Sequence, residues 1–257
     1  MKVCLADKVI IVTGAASGIG AAIARLAAES GVGGLVLTDR DAAGLGAVAA
    51  GIKAPVVQVV ANLLDPSAPK QIIEAAIDGF GRIDGLVNAA GITSRASVLD
   101  GDIELWDALF AVNTRAAFFL MQCAIRDMTA RRASGAIVNI LSINAHCGTE
   151  ELAIYSASKG ALLTLTKNAA NAHLADRIRV NGINLGWADT PVEHQMQADI
   201  LGQGDAWREE ASARLPLGRL ITPEEAARTA VFLLADASVP MTGVAVDLEQ
   251  RVIGVPK

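Results

Sequence analysis

Tyr155 and Lys159 stand four residues apart in the run Tyr155-Ser156-Ala157-Ser158-Lys159, with Ser142 thirteen residues upstream. On a helix, residues i and i+4 share one face, one turn apart, so the spacing sets a phenol beside an ammonium. A cation at that distance favours phenolate, which predicts a Tyr155 pKa drawn from about 10 toward neutrality. A tyrosine tuned in this way passes a proton to or from a substrate oxygen near neutral pH. Taken alone, an ordinary surface lysine beside a half-buried tyrosine explains the pair better. The rest of the chain reverses that judgement.

The segment Thr13-Gly14-Ala15-Ala16-Ser17-Gly18-Ile19-Gly20 lies between a short apolar run and an Ala-rich helical pattern. Glycine allows a tight turn and close backbone approach. The helix start, around Ser17, Gly18 and Ile19, offers free N–H groups to a pyrophosphate. The spacing is G-x-x-x-G-x-G, and no Lys-Ser/Thr follows Gly18, so this is not a Walker loop. Asp39 ends the second apolar run. A carboxylate there can accept hydrogen bonds from the ribose 2′- and 3′-hydroxyls, and it repels a 2′-phosphate, which predicts NAD over NADP. Arg40 beside it could serve a 2′-phosphate, and an ordinary turn residue is the bland alternative for Asp39.

These residues need elements to hold them. Apolar or β-branched runs at 9–12, 35–38, 56–60, 83–87, 136–141, 179–184 and 244–248 read as strands. Helical spacing covers 19–30, 66–79, 103–131, 155–174 and 223–234, with Asp65 and Thr222 as expected N-caps. Continuous apolar strands alternating with helices predict an α/β fold, a Rossmann-type, doubly wound parallel β-sheet with helices on both faces. No linker or repeat divides the chain, so residues 1–257 are expected to form a single domain. The stretch 187–220 mixes Gly, Pro and charge and reads as a long, mobile substrate loop.

The chain has 257 residues, 52% hydrophobic and 19% charged, with a net charge of -5. Nothing in that balance recommends nucleic acid, and Arg131-Arg132 reads as a solvated helix end. Cys4, Cys123 and Cys147 are odd in number and scattered, and read as small apolar fillers. His173 and His194 read as surface residues, and no histidine has metal-ligand spacing, so no metal is expected. Residues 1–7 carry no long apolar stretch, and no run of about 18 apolar residues stands out. The expected location is cytoplasmic, away from membranes.

Taken together, the Gly14/Gly18/Gly20 turn, Asn88-Ala89-Ala90-Gly91 after a strand, Asn113, Ser142 and Tyr155-x-x-x-Lys159 resemble the short-chain dehydrogenase/reductase family over nearly the whole chain. The resemblance implies an NAD-linked oxidoreductase acting on a secondary alcohol/ketone couple. It implies Tyr155 as the acid/base and Ser142 as the donor that holds the substrate oxygen. Lys159 would lower the Tyr pKa and bind the nicotinamide ribose. Asn113 would bend its helix and hold a water in a proton relay. It further implies cofactor contacts at Asn62 and Leu63, at Asn88, Ala90 and Gly91, and at Gly186 and Thr190. Leu185-Gly186 stands where the family has Pro-Gly, and Glu249-Gln250-Arg251 replaces its Asp-Gly-Gly. Substrate selection is expected from Asn144, His146, Leu152, Trp187 and the loop beyond, with Thr93 and Arg95 across the mouth. Several of these are polar, which suits a sugar or polyol. The helices over 103–131 and 155–174 carry apolar residues on more than one face, and the family's habit implies a homotetramer. Two alternatives stay open: an NADP-linked ketoacyl-type reductase, and a non-catalytic nucleotide-binding protein of the same fold.

Overall fold

The computed structural model describes residues 3–254; the outermost residues of the expected 1–257 domain lie outside them. Seven strands form one parallel sheet: β1 (Val9–Thr13), β2 (Gly34–Asp39), β3 (Val56–Val60), β4 (Gly85–Asn88), β5 (Gly135–Ile140), β6 (Ile178–Leu185) and β7 (Ala245–Leu248). Their spatial order is β3-β2-β1-β4-β5-β6-β7. Chain direction of travel reverses between β1 and β4, which pair in the register Ile10–Gly85, Ile11–Leu86 and Val12–Val87. A doubly wound sheet opens a crevice at such a reversal, at the carboxyl ends of its strands.

The apolar runs are buried on both faces, because side chains alternate along a strand. Ile10, Val12, Leu35 and Leu37 pack toward α1 (Gly18–Glu29) and α9 (Pro223–Leu234). Ile11, Val36, Leu86 and Ile137 pack toward α3 (Ala68–Phe80), α5 (Ala117–Ala130) and α6 (Ala153–Ala172). Thr222 caps α9 as expected, in a reciprocal capping box with Glu225.

Several expectations are corrected. Helix α2 (Ala42–Ala50) was not anticipated. Its run of Ala and Gly shows no 3.6-residue period, and it is started by Asp41, which accepts from Ala43 N and Gly44 N at 3.1 Å each. Asp65 does not cap α3. It accepts from the backbone and side chain of Ser67 at 2.8 Å, holding a turn before the helix begins. Cys4 and Cys147 are exposed rather than apolar fillers, and Cys123 is half-buried. Arg131 is not simply solvated: it donates to Asp127 Oδ2 at 2.9 Å and to the Ile83 carbonyl.

The helix expected over 103–131 is divided. α4 (Ile103–Phe110) passes through a π-turn at Ala111–Ala116 into α5. By length and composition alone this run could cross a membrane, contrary to the sequence reading, but most of its apolar window is buried in the fold. The stretch 187–220 also has structure of its own. It holds α7 (Pro191–His194), a π-turn at Gln195–Ile200 and α8 (Trp207–Ala213). Trp207, 1% exposed, packs with Ala198, Ala211 and Leu220 in a small separate cluster, with Trp187 against it.

Candidate active site

The carboxyl ends of β1 and β4 are drawn together by one hydroxyl. Thr13 Oγ1 accepts from Ala89 N at 3.1 Å and from Ala90 N at 3.0 Å. The chain after β1 then turns at Gly14, in the left-handed region with φ of 66°. A Cβ on Gly14 would lie 2.8 Å from Ala90 Cα, so the approach requires glycine there. α1 begins directly after this turn. Its N-cap, Ser17, makes no side-chain cap bond, so among the described residues the first N–H groups of the helix keep their donors free.

Asp39, at the end of β2, is oriented by the same turn. Its Oδ2 accepts from Ala16 N at 3.0 Å and its Oδ1 from Asp41 N at 3.1 Å. Each oxygen retains a second acceptor site. An uncapped helix start, a glycine turn and an acid beside it fit a dinucleotide's pyrophosphate and ribose. Asn62 is exposed, and its Oδ1 accepts from Leu64 N at 3.1 Å, leaving its Nδ2 free among the described residues. Leu63 packs against the core beneath. Asn88 is committed to the interior: its Nδ2 donates to Asn139 Oδ1 at 2.8 Å.

Ser142, Tyr155, Lys159 and Asn113 are all buried, between 1% and 9% exposed. Ser142 follows β5, where its Oγ accepts from Asn144 N at 3.1 Å. The i, i+4 expectation holds geometrically, with Lys159 Nζ 5.9 Å from the centre of the Tyr155 ring. Its electrostatic consequence does not. Burial pushes the Tyr155 hydroxyl up to about 12, although a hydrogen bond with Ser142 pulls it down and the charge of Glu193 adds to the rise. Burial also brings Lys159 down to about 8. Low dielectric disfavours both charged forms, and the ammonium is turned to a backbone acceptor, donating to Ile140 O at 2.8 Å. The phenol therefore holds its proton through the neutral range, an arrangement that can donate to a substrate oxygen.

Asn113 sits in the π-turn, the kind of local widening that aims a side chain out of helical register. Its Oδ1 accepts from Ile92 N at 2.9 Å, and its Nδ2 donates to Ile92 O and Ser158 Oγ at 3.0 Å each. Ser158 Oγ in turn donates to Tyr155 O at 2.7 Å. Ser158 was passed over in the sequence. Its position three residues after Tyr155 and one before Lys159, on the same face of the helix, was the available signal.

The expected substrate residues divide into two groups. Leu152 packs beside Tyr155, and a bridge between Ala96 and Leu152 brings the segment carrying Thr93 and Arg95 alongside. Arg95 Nη1 pairs with Glu151 Oε1 at 2.9 Å. His146 is engaged elsewhere: its Nε2 lies 3.0 Å from Asp247 Oδ1 on β7 and 3.1 Å from Asn184 Nδ2 on β6. Trp187 Nε1 donates to Glu193 Oε1 at 2.8 Å. His194 is no idle surface residue, since its Nδ1 accepts from Trp207 Nε1 at 2.9 Å. Gly186 N donates to Leu248 O at 2.9 Å, and Thr190 caps α7 over the glycine turn, near enough that a Cβ on Gly18 would lie 3.4 Å from its side chain. Glu249-Gln250-Arg251 gains an account here. Gln250 bonds Leu217 N and Arg219 O, and Arg251 bonds Arg214 O, tying the C-terminal segment to the connection between α8 and α9.

Known proteins with this architecture share its length. A family model described as enoyl-(acyl carrier protein) reductase matches residues 14–249. The chain is 34% identical to a 3-oxoacyl-[acyl-carrier-protein] reductase of Thermotoga maritima, over 95% of this chain and 97% of that one. It is 35% identical to an L-rhamnose 1-dehydrogenase (NAD(P)(+)) of Azotobacter vinelandii, over 93% and 94%. Among solved structures, the L-sorbose reductase of Gluconobacter frateurii complexed with NADPH and L-sorbose superposes with a TM-score of 0.92 at 29% identity, each chain covered in full.

Proposed function

The chain belongs to the short-chain dehydrogenase/reductase family, and from that premise we propose that it interconverts a secondary alcohol and a ketone with NAD, on a sugar- or polyol-like substrate. It is an oxidoreductase that uses a nicotinamide cofactor, as its relatives are. The single observation that carries the finer reading is the packing of Tyr155, Ser142, Lys159 and Asn113 into one buried cluster at the mouth of the sheet crevice.

In this reading Tyr155 gives its proton to the substrate oxygen during reduction and takes it back during oxidation. Ser142 donates a hydrogen bond to the same oxygen as its negative charge grows. Lys159, held by Ile140 O, places positive charge beneath the phenol and meets the nicotinamide ribose. Asn113 fixes the backbone at Ile92 and joins it to Ser158, bracing the turn of α6 that carries Tyr155. The α1 N-terminus at Ser17, Gly18, Ile19 and Gly20 would hold the pyrophosphate. Asp39 would hold the adenosine ribose, Asn62 and Leu63 the adenine side, and Ala90, Gly91, Gly186 and Thr190 the nicotinamide side. When bound, the dinucleotide supplies the two-electron chemistry that no side chain here can provide.

NAD is favoured because Asp39, not a basic residue, borders the turn, and Ala15-Ala16-Ser17 offers no cation to a 2′-phosphate. The rhamnose dehydrogenase and the sorbose-bound reductase support the sugar-like class. Steady-state assays with NAD and NADP against polyols, sugars and hydrophobic alcohols should give the highest kcat/KM with NAD and a polyol or sugar. Turnover confined to hydrophobic alcohols, or to NADP, contradicts the corresponding half of the proposal.

We also propose a homotetramer. Trp106 stacks on Phe110 with ring centres 4.5 Å apart, and Phe118 meets Phe119 edge-on, all along α4 and α5. Trp106, Phe118 and Phe119 are 39–47% exposed, an apolar patch of the kind that marks an interface. Light scattering at micromolar concentration should return four times the chain mass; a monomer mass refutes this.

A further inference from the structure

Ser142 starts the short 3-10 turn Ile143–Ala145, and His146 ends it. The Ser142 hydroxyl accepts from Asn144 N at 3.1 Å and its carbonyl from Ala145 N at 2.9 Å, while His146 N donates to Ile143 O at 3.1 Å. The serine of the site is thus the first residue of a single turn, and such a turn has poor hydrogen-bond geometry of its own. The His146 side chain supplies an anchor outside it. Passing over β6, its Nε2 lies 3.0 Å from Asp247 Oδ1 on β7. Asn184 Nδ2 donates to the same oxygen at 2.7 Å. Asn184 and Asp247 are register partners on β6 and β7, and Asn184 is fully buried. A carboxylate and an amide nitrogen leave one arrangement for the ring: the imidazole hydrogen sits on Nε2 and points at Asp247. Burial raises the Asp247 carboxyl, but the bonds from His146 and Asn184 outweigh it and hold it below its ordinary range.

The side chains of His146 and Asp247 are 37% and 41% exposed, and ion pairs at that exposure add little to stability. What the pair fixes is position. We propose that His146 is a positioning residue: held on Asp247 and Asn184, it fixes the turn that begins at Ser142 and so aims the Ser142 hydroxyl at the substrate oxygen. With its acceptor side turned to Asn144 N, Ser142 Oγ has its hydrogen left for that oxygen. The anchor ties the carboxyl ends of β5, β6 and β7 to one another at the place where the serine must stand. It gives His146 a task away from the substrate, in place of the selecting role its sequence position suggested. This rests on the dehydrogenase reading, since it concerns the same serine.

Two measurements test it. The first is kinetic, on the best substrate of the assay panel. His146→Ala should lower kcat by about tenfold with KM within about twofold, because Ser142 acts on charge that grows only in the transition state. Asp247→Ala should do the same, and the double variant should be no slower than either, as groups that act as one unit behave. In a Ser142→Ala background, adding His146→Ala should change kcat by less than about twofold. A merely structural role would cost the same factor in both backgrounds. That outcome, multiplying losses in the His146–Asp247 double variant, a loss confined to KM, or wild-type kcat in His146→Ala overturns the proposal. The second measurement needs no substrate. Hydrogen exchange at the amides of residues 144–146 should quicken in His146→Ala and in Asp247→Ala, while β5 and α6 keep their protection; unchanged exchange in the turn overturns the anchor. Absence of wild-type turnover across the panel overturns the dehydrogenase reading and the positioning role with it, and is told apart because exchange in the turn still quickens.

Discussion

Tyr155→Phe should lower kcat by about a hundred- to ten-thousand-fold, the range that a positioned acid/base contributes, while dinucleotide binding remains within about twofold. The substitution removes one oxygen from a buried ring and leaves its packing against Ile154, Leu152 and Leu109 intact. No other group can replace the missing proton. Lys159 is turned to Ile140 O, and Ser142 cannot act as both donor and reservoir without a neighbouring base. Because the phenol is held near 12 by burial, the wild-type enzyme should show no loss of ketone reduction from Tyr155 ionisation below about pH 8. Single-turnover assays in both directions, with fluorescence titration of the dinucleotide, check the two halves of the prediction. Retained turnover removes Tyr155 from the acid/base role.

Gly20→Ala should weaken cofactor binding by about tenfold or more with most of the fold intact. A Cβ at this position would run into the Gly14 carbonyl, with the carbonyl carbon at 2.6 Å and Thr13 O at 2.9 Å. These are backbone atoms of the turn itself and cannot swing aside as a side chain can. To make room, the first turn of α1 must lift away from β1, and the free N–H groups then no longer converge on one anion. Overpacking of this kind costs about 1–3 kcal/mol in stability. The larger effect falls on the dinucleotide, whose affinity should fall by about tenfold or more. Calorimetric titration with NAD, beside a denaturant melt, separates the two. Wild-type affinity in Gly20→Ala would mean that the pyrophosphate does not sit at the α1 N-terminus.

The parallel sheet was legible because its strands are near-continuous apolar runs, and the glycine turn because it stands between a strand and a helix. Asp39 and the Tyr155–Lys159 face were legible because short-range spacing alone sets them. What stayed hidden depends on faces that meet only after folding. α2 carries too little side-chain contrast among its alanines and glycines to announce a period. Thr13 looks like any strand-end threonine until its hydroxyl meets Ala89 and Ala90. The partner of Tyr155 could be read from spacing, but its depth could not, and depth decides the sign of the shift.

The hydroxyl of Thr13 joins positions 76 and 77 residues apart, and this gives the binding crevice a place in time as well as in space. Pairings over such distances form slowly, because a long loop must close before any contact rewards it. Before β1 and β4 meet, the chain can hold nascent helices and local turns, but it has no crevice at all. The dinucleotide can then lend its binding energy only to the finished molecule, so that cofactor supply shifts the balance between complete and incomplete chains.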